Sequence, residues 1–474
     1  MNRDKLAKGL IGAIGKEKVI VDPSIIKLYS REPSGYTARE LPLAVVFPET
    51  VDDTSRLVSY AYKHNLKIYP QGSTTSLAGS AVPLNGGIVL SLERMKGIVE
   101  TSIEDSYTIT EPGVKIDELN DHLAGYGYMF PVDPASSSVA TVGGAVNSGA
   151  GGMRGAKYGT MKDWVLGLQI VVPDEKGSNM WIGCRTLKCR QGYDITRLII
   201  GSEGTLAIVT KAVLKITPLP ENVVTALAFF PNLEQLSQTA VDLKSSGVQP
   251  YIMEFLDERT TQAAIELAET NVKGNGAMLL VSIDVNKEAI DRFLKWLVNL
   301  LRSNGATEIY TAKTMEEAEG NGLFDLRRSL FPAQNYLSRK MLGIENPMIY
   351  IEDIAVPPSK LVEAVGEIAR LEEKYGLPTF MGGHISDGNL HPAVGFNPGN
   401  PDMASKVEEW FYGLMRIAIS LGGTVSSEHG IGLMKKKGLE MELEAHGAAM
   451  MIGVMKKIKQ AFDPKNILNP GKVI

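Results

Sequence analysis

Three segments of this chain are built almost entirely from small residues, and they limit what the chain can fold into. They cover residues 70–79, 131–152 and 201–206. A segment without large side chains exposes its backbone and cannot fill a hydrophobic core by itself. The segment 131–152, the longest of the three, is therefore expected to lie against something large and flat that supplies the missing contacts.

The segment 70–79 follows one predicted strand and precedes another. Its glycines let the backbone approach a ligand closely, and its amide N–H groups and hydroxyls can hold phosphate oxygens. It lacks the Gly-Lys-Ser/Thr ending of a Walker loop and the G-x-G-x-x-G of a Rossmann fold. By itself it is either a phosphate-binding loop or an ordinary polar turn.

Length and charge restrict the class of protein. With 474 residues the chain exceeds what one hydrophobic core usually organises, so two or three domains are expected. The formal charge of -5 argues against a nucleic-acid partner, because such proteins normally carry a basic face. No apolar run is long enough for a transmembrane helix, and the N-terminus lacks a signal-peptide cleavage site, which predicts a cytoplasmic chain.

The chain has only two cysteines, Cys184 and Cys189. Their number is too small for a disulfide scaffold, and their spacing differs from a C-x-x-C pair, which predicts two free thiols in a reducing compartment. An iron–sulfur cluster needs about four thiolates, so this chain cannot hold one by itself.

Hydrophobic patterning predicts an α+β or α/β protein. In the first half, strands are predicted at 43–47, 67–69, 87–92, 107–110, 165–172 and 207–216, with helices at 54–64 and 115–124. After residues 218–221, longer units alternate: strands at 225–230 and 277–284, and helices at 233–245, 287–303 and 403–421. These units predict a second domain in which helices pack on one face of a sheet.

Three of the six histidines lie in two glycine-rich segments that we expect to form turns. His384 and His391 belong to residues 382–391, and His429 follows Glu428 in residues 426–432. Imidazole nitrogens and a carboxylate oxygen are ligands that divalent transition metals favour. Two alternatives remain at this point: satisfied structural histidines, or a metallohydrolase, although the H-E-x-x-H helix pattern is missing.

Taken together and in their order, the small-residue segments of residues 38–217 resemble the flavoprotein family of vanillyl-alcohol oxidase and p-cresol methylhydroxylase. The resemblance implies FAD in an extended form between two α+β subdomains, with residues 70–79 at its pyrophosphate. Neither 70–79 nor 131–152 contains a histidine, so the implied FAD is noncovalent. Where many relatives carry a glycine, this chain has Ala207. The implied FAD contacts are Pro70, Gln71, Gly72, Ser73, Thr74, Thr75, Ser76, Gly79, Pro134, Ala135, Ser136, Ser137, Thr141, Gly143, Gly144, Asn147, Ser148, Gly151, Glu203, Gly204, Ile208 and Asn469.

Residues 383–391 and 428–432 resemble C-terminal signatures of FAD-linked D-2-hydroxy-acid dehydrogenases. These include D-lactate dehydrogenases, the catalytic subunit of glycolate oxidase and D-2-hydroxyglutarate dehydrogenases. The resemblance implies a divalent ion (zinc, iron or manganese) bound by His384, His391 and Glu428, with His429 as the general base. It also implies that Arg327 holds the substrate carboxylate; the alternative is a solvated helix arginine. The implied reaction oxidises a 2-hydroxy acid to the 2-oxo acid by hydride transfer to flavin N5.

Two departures from the dehydrogenase pattern bear on the substrate. Relatives that act on 2-hydroxyglutarate carry an asparagine where this chain has Ala393, and a lysine near the position of Ile351 and Glu352. Both changes remove polar groups that would meet a distal carboxylate, which favours D-lactate or glycolate. Activity on D-2-hydroxyglutarate, a metal-dependent hydrolase and a non-catalytic flavoprotein subunit remain as alternatives.

The resemblance also implies an architecture. We expect an N-terminal helical segment at 1–37, a two-subdomain FAD-binding domain of the p-cresol methylhydroxylase (PCMH) type at 38–217, and an α+β substrate (cap) domain with an antiparallel sheet at 218–424. A C-terminal segment at 425–474 would return to the flavin. The expected electron acceptor is a quinone, an electron-transferring flavoprotein, an iron–sulfur partner subunit or oxygen. A homodimer and peripheral membrane attachment through a partner are also compatible with the resemblance.

Overall fold

The computed structural model describes residues 3–268 and 270–474, which divide into two compact units. Unit 1 comprises the residues up to 152, residues 159–219 and residues 428–474. Unit 2 comprises residues 153–158 and 220–427. The chain therefore passes from one unit to the other four times.

Unit 1 contains two principal sheets. The first has four strands in the order β1-β2-β4-β3, in which only β1 is antiparallel to its neighbour. The second has five antiparallel strands in the order β5-β6-β10-β8-β9, and β7 pairs with β11. The strands are β1 (Val19–Ile20), β2 (Ala44–Val46), β3 (Ile68–Gln71), β4 (Ile88–Ser91), β5 (Ile98–Ser102), β6 (Tyr107–Thr110), β7 (Tyr128–Met129), β8 (Val165–Val171), β9 (Asn179–Gly183), β10 (Ile208–Lys215) and β11 (Thr217–Pro218).

The helices of unit 1 are mostly short. Helix α3 begins at the N-cap Thr50, whose hydroxyl accepts from Asp53 N, and ends at the left-handed Asn65. The helices are α1 (Arg3–Ile14), α2 (Pro23–Ile26), α3 (Val51–His64), α4 (Ile116–Ala124), α5 (Val142–Ser148), α7 (Met161–Trp164), α8 (Ile195–Ile199), α17 (Lys436–Ala445) and α18 (Met451–Phe462), with 3-10 turns at Lys16–Lys18 and Lys27–Tyr29.

The C-terminal segment belongs to the core of unit 1. Ile467 and Leu468 are fully buried among the side chains of the first sheet, and Leu468 forms a parallel bridge with Ile68 of β3. Burying one such side chain stabilises the fold by about 1.5–3 kcal/mol. Asp463 accepts hydrogen bonds from the backbone N of Ile467 and Leu468, at 3.0 and 2.7 Å. The segment is therefore fixed beside β3, the strand that enters residues 70–79.

Unit 2 is organised around one antiparallel sheet. Its strand order is β15-β12-β14-β13-β18-β19-β16, and β17 also pairs with β19. The strands are β12 (Asn222–Phe230), β13 (Ile252–Leu256), β14 (Ala277–Val285), β15 (Ile309–Ala312), β16 (Met348–Ile351), β17 (Ile354–Ala355), β18 (Phe380–His384) and β19 (Asn389–Phe396).

Helices occupy most of the connections between these strands. Helix α16 begins at the N-cap Asn400 with proline at its first position, and its Trp410 is fully buried and donates to Thr379 Oγ1 at 3.1 Å. The helices are α6 (Gly155–Tyr158), α9 (Leu233–Ser245), α10 (Glu258–Leu267), α11 (Ile290–Ser303), α12 (Met315–Gly320), α13 (Asp325–Arg328), α14 (Leu330–Leu342), α15 (Leu361–Tyr375) and α16 (Pro401–Ser420), with 3-10 turns at Lys287–Ala289 and Pro358–Lys360. No helix in the described part of the chain is long and apolar enough to cross a membrane.

The α+β class and the antiparallel sheet of the second half are confirmed. The predicted strand 107–110 and the predicted helix 233–245 have the observed ends, and the other predicted elements differ by a few residues. The sequence patterns missed β5, β9, β13, α17 and α18, among others. Strand β13 is buried along its whole length although Glu254 stands at its centre, so a charged residue interrupted the apolar run that would have predicted it.

Two predictions about local structure are wrong. Cys184 and Cys189 form a disulfide, with their Cα atoms 5.9 Å apart, and are not free thiols. Their five-residue separation in sequence still lets the chain after β9 fold back far enough to join them. His384 and His391 do not lie in turns, because they belong to β18 and β19 and only residues 385–388 connect the two strands.

A substitution at Gly276, directly before β14, tests how closely β12 and β14 approach each other. Its φ is +93°, and an added Cβ would lie 1.9 Å from the carbonyl oxygen of Phe230 at the end of β12. Gly276→Ala is expected to lower the free energy of unfolding by the left-handed strain of about 1–2 kcal/mol and by a clash of about 1–3 kcal/mol. Urea denaturation monitored by circular dichroism measures the loss.

Gly305 supplies the matched control. It also has a φ of +93°, but the nearest atom to its added Cβ would be Gln235 Oε1 at 3.6 Å. Gly305→Ala therefore carries the strain without the clash, and it should cost less than Gly276→Ala. Equal losses in the two variants would contradict the close approach of β12 and β14 at this point.

Candidate functional site

Unit 1 contains a cavity whose walls are the small-residue segments. Seventeen of the twenty-two residues that the sequence assigned to FAD line it. These are Pro70, Gln71, Gly72, Ser73, Thr74, Thr75, Ser76, Pro134, Ala135, Ser136, Thr141, Gly143, Gly144, Asn147, Ser148, Gly151 and Glu203. The structure thus brings together segments that are separated by up to about 130 residues in sequence.

The two main walls touch where glycine is required. A Cβ on Gly72 would lie 2.3 Å from Oγ1 of Thr141, so no larger residue fits there without a shift of the neighbouring segment. The Ser73 hydroxyl donates to the carbonyl oxygen of Val139 on the opposite wall. Thr141 also caps α5 by accepting from Gly144 N at 3.2 Å. These contacts hold the walls in place without large side chains between them.

Five predicted FAD contacts do not line the cavity, and most of them support its walls. Gly79 and Gly204 have φ of +81° and +68° and make turns. Ser137 lies in the turn after Pro134, where its amide donates to the Pro134 carbonyl at 2.8 Å. The remaining two are Ile208, whose side chain is buried in the core of the first sheet, and Asn469, which is also buried.

Asn469 joins the C-terminal segment to the cavity walls. Its Nδ2 donates to the carbonyl oxygens of Ser80 at 2.8 Å and of Glu203 at 2.6 Å.

Leu92 and Pro112 line the cavity as well, and the sequence did not point to them because they lie outside the small-residue segments. No local signal could have identified them, since leucine and proline are common in strand-rich regions that bind no ligand.

Glu203 holds the loop that carries the predicted base. The residue is buried in a left-handed conformation with a φ of 54°, and its carboxylate accepts from Ile431 N at 2.7 Å and from Gly432 N at 2.9 Å. Gly430 has a φ of +85°, and a Cβ there would lie 2.6 Å from Glu203 Oε1, so a larger residue would displace the carboxylate. Burial raises the pKa of Glu203 to about 7, and the two backbone hydrogen bonds act in the opposite direction.

Glu428 and His429 also line the cavity of unit 1. A Cβ on Gly151 would lie 3.1 Å from Glu428 Oε2, so the small residue there leaves room for the carboxylate. Glu428 Oε1 lies 3.9 Å from His429 Nε2. The segment 428–432 is thus part of the same pocket wall as residues 70–76 and 134–151.

In unit 2, neighbouring strands bring the other predicted residues together. Gly382 of β18 is the register partner of His391 on β19, which places His384 and His391 with ring centroids 5.4 Å apart at right angles. Both histidines are buried. His391 Nδ1 lies 3.3 Å from the carbonyl oxygen of Glu352 and 4.0 Å from Asp353 Oδ1.

A fully buried carboxylate, Glu254, connects the histidine to the predicted arginine. Glu254 Oε1 lies 2.7 Å from His384 Nδ1, and Glu254 Oε2 accepts from Arg327 Nε at 2.6 Å. Burial acts to raise the pKa of Glu254, but His384 and Arg327, which face its two carboxylate oxygens and hydrogen-bond to them, outweigh it and keep the pKa below its ordinary value. The sequence did not identify Glu254.

Arg327 is not a solvated helix arginine. The residue is only 8% exposed, whereas the neighbouring Arg328 is exposed and forms two 2.6 Å hydrogen bonds with Glu319. Within the described part of unit 2, Glu254 is the hydrogen-bond partner of Arg327 Nε, and the Nη atoms have none. A guanidinium held through Nε keeps both Nη atoms available for a planar, two-point carboxylate contact.

Asp353 fixes the end of unit 2 that leads to Glu428. It is fully buried, and it accepts from Asn389 Nδ2 at 3.0 Å, from Ser426 Oγ at 3.2 Å and from Ser427 N at 2.9 Å. Ser427 is the last residue of unit 2, and the next residue along the chain is Glu428. One peptide bond therefore links the anchored end of unit 2 to the cavity wall of unit 1.

The donor chemistry of these residues fits a divalent ion. Because Glu254 occupies Nδ1 of His384, the ring would bind a metal through Nε2, and the contact of His391 Nδ1 with a carbonyl oxygen favours Nε2 there as well. A metal-binding histidine usually donates its other ring nitrogen to a carboxylate or a carbonyl oxygen in this way. Both imidazoles are thus oriented as metal ligands would be.

The comparisons with known proteins agree over almost the whole chain. Residues 42–178 match a family model described as "FAD binding domain", and residues 219–473 match "FAD linked oxidases, C-terminal domain". The chain is 36% identical over 436 residues to a protein named glycolate oxidase subunit GlcD from Bacillus subtilis (strain 168), covering 92% of this chain and 89% of the relative. It is 33% identical over 443 residues to a D-lactate dehydrogenase from Archaeoglobus fulgidus, covering 91% of each chain.

Solved structures share the fold. A structure of p-cresol methylhydroxylase with substrate bound superposes with a TM-score of 0.79 at 18% identity, over 99% of this chain and 96% of the other. At that identity the likeness concerns the fold alone. The family models and the relatives above 30% identity carry the assignment: the chain belongs to the FAD-linked oxidases, with a PCMH-type fold, and is an FAD-linked oxidoreductase.

Proposed function

We propose that this protein oxidises a D-2-hydroxy acid, with D-lactate or glycolate preferred, to the corresponding 2-oxo acid. The main support for the proposal is a buried group of three side chains in unit 2. In this group the carboxylate of Glu254 hydrogen-bonds to both Arg327 and His384. A guanidinium and a metal-binding imidazole suit the two functional groups of such a substrate, its carboxylate and its hydroxyl. The names of the GlcD and D-lactate dehydrogenase relatives point to the same substrate class.

The bound groups would supply two kinds of chemistry. Noncovalent FAD, held by the cavity residues of unit 1, would supply an acceptor for the hydride from substrate C2. A divalent ion (zinc, iron or manganese) held by His384, His391 and Glu428 would supply a Lewis acid that lowers the pKa of the substrate hydroxyl.

The protein residues have separate tasks in this proposal. The two Nη atoms of Arg327 bind the substrate carboxylate and fix the orientation of C2. His429 accepts the hydroxyl proton as C2 loses its hydride, so that one proton and one hydride leave for each 2-oxo acid formed. The hydrogen bonds from the 431–432 backbone to Glu203 keep His429 on the cavity wall.

The residues around His391 favour a small substrate. Ala393 lies two residues after His391 on β19, and alternate residues of a strand face the same side of the sheet. Its register partner on β16 is Ile351. Since neither residue offers a polar group, a distal carboxylate such as that of 2-hydroxyglutarate would find no partner from them.

The electrons then leave for an external acceptor. The chain cannot hold an iron–sulfur cluster of its own with two cysteines. We propose a quinone, an electron-transferring flavoprotein, an iron–sulfur partner subunit or oxygen as the acceptor. A homodimer, or attachment to a membrane surface through a partner, is compatible with each of them.

An anaerobic spectrum of the purified protein tests the reaction. We expect the visible flavin absorption to bleach when D-lactate or glycolate is added, because hydride transfer reduces the ring. Removal of divalent ions with a chelator should slow the bleaching, and zinc, iron or manganese should restore it. A yellow protein that no hydroxy acid bleaches would contradict the dehydrogenase proposal, and bleaching at the full rate after complete chelation would contradict the metal role.

His429→Ala tests the base. We expect the rate constant for flavin reduction to fall by about 10²–10⁴, the usual contribution of a positioned general base. Stopped-flow spectroscopy under anaerobic conditions measures it, and the flavin content should remain that of the wild type. His446→Ala is the control, because His446 is an exposed histidine of the same unit. Reduction of the His429 variant near the wild-type rate would show that another group takes the proton.

Gly72→Ala tests the position of the flavin. The added methyl group would force Thr141 away and narrow the cavity, so we expect the FAD content of the purified protein to fall by about tenfold, the effect of losing roughly 1.4 kcal/mol of binding free energy. The ratio of flavin absorbance to protein absorbance measures it. Gly12→Ala is the control, because Gly12 lies in α1 with no atom within 4 Å of an added Cβ. Full FAD content in the Gly72 variant would place the flavin elsewhere.

A further inference from the structure

Glu254 makes two short hydrogen bonds to two residues that the proposed function assigns to different tasks. One carboxylate oxygen accepts from Arg327 Nε at 2.6 Å, and the other lies 2.7 Å from His384 Nδ1. We infer that Glu254 is a positioning residue that sets the tautomer of His384 and the orientation of the Arg327 guanidinium together. This inference rests on the proposed function, in which the histidine binds a metal ion and the arginine binds the substrate carboxylate.

The fold makes this arrangement rigid. Glu254 and His384 are register partners on the adjacent strands β13 and β18, at the centre of the sheet of unit 2. The side chain of Glu254 is fully buried, and Arg327 reaches it from α13. A carboxylate on a central strand has few alternative rotamers, so the groups that it binds share its fixed position.

The histidine contact determines which ring nitrogen can bind a metal. An ionised carboxylate can only accept hydrogen bonds, so the Nδ1 of His384 must carry the proton. In the neutral ring, the proton on Nδ1 places the lone pair on Nε2. Glu254 thereby selects the tautomer of His384 that can donate Nε2 to a divalent ion.

The arginine contact determines the plane of the guanidinium. With Nε bound to Glu254, the terminal edge of the guanidinium, which has one N–H from each Nη atom, remains for another carboxylate. That is the edge of the group which binds a substrate carboxylate at two points. A single buried carboxylate thus orients both the metal-binding histidine and the substrate-binding arginine.

The variant Glu254→Gln separates this role from a purely structural one. The glutamine side chain has nearly the same shape, but only its oxygen can accept a hydrogen bond. If that oxygen keeps Arg327, the amide NH2 faces Nδ1 of His384, and the ring must move its proton to Nε2. The metal-binding nitrogen is then blocked.

Nitrogen NMR of protein labelled with ¹⁵N-histidine at neutral pH measures the tautomer without metal or substrate. The chain has six histidines, and the spectrum of His384→Asn identifies the signal of His384. We expect the Nδ1–H tautomer in the wild type and the Nε2–H tautomer in Glu254→Gln. A wild-type His384 with its proton on Nε2 would overturn the inference even if the glutamine variant failed to fold.

Metal and substrate binding provide the second measurement. For Glu254→Gln, we expect the affinity for zinc, measured by competition with a chelating dye, to fall about 10–100-fold. The KM for D-lactate or glycolate should rise, while the FAD content stays at the wild-type level because Glu254 does not line the cavity of unit 1. Unchanged zinc affinity, KM and tautomer in a folded variant would overturn the inference.

Asp257→Asn is the matched control. Asp257 is also a buried carboxylate, at the end of β13, and it accepts from Thr260 N at 2.7 Å and Met381 N at 2.5 Å. Its loss should lower stability without altering the zinc affinity or the His384 tautomer. If the wild type bound no zinc and no hydroxy acid bleached it, the proposed function would fail, whereas the NMR result would still decide whether Glu254 sets the tautomer.

Discussion

A carboxylate removed from water must be satisfied by hydrogen bonds and opposite charge, and this constraint organises the functional part of unit 2. Glu254 is fully buried in the central strand β13, so its ionised form depends on Arg327 and His384. Removing one partner of such a buried pair typically costs about 3–5 kcal/mol, because the remaining charge has no compensation. The contacts that stabilise the buried charge of Glu254 therefore also fix Arg327 and His384, the two side chains that the proposed reaction requires.

Unit 1 uses buried carboxylates in a different way, as acceptors for backbone N–H groups. Glu203 binds the backbone of the 428–432 loop, and Asp463 binds the backbone of the C-terminal segment beside β3. Small residues leave the cavity walls without large side chains that could lock them together. Carboxylates that bind N–H groups supply that rigidity and leave the cavity itself open.

The sequence predicted the residues that line the cavity, but it did not predict the strands that hold His384 and His391 or the contact of Glu254 with His384. Residues 70–76 and 134–151 could be identified because a run of small residues needs a large partner to pack against. His384 and His391 were recognisable as a pair close in sequence, although their strands were not. Glu254 could not be found, because a single glutamate in an apolar pentapeptide looks like an interruption until the register with β18 places it opposite His384. Long-range pairing of this kind leaves no local pattern.

The chain passes directly from the anchored end of unit 2 to the cavity wall of unit 1. Ser427 is held in unit 2 by the buried Asp353, and the next two residues, Glu428 and His429, line the cavity of unit 1. A trans peptide bond separates consecutive Cα atoms by about 3.8 Å, so the segment cannot relax far on one side without pulling on the other. The proposed metal ligand Glu428 and the base His429 therefore depend on anchors in both units: Asp353 on one side and Glu203 on the other. The chain crossing between Ser427 and Glu428 thus leaves Glu428 and His429 within a few residues of a backbone N–H bound by a buried carboxylate on either side.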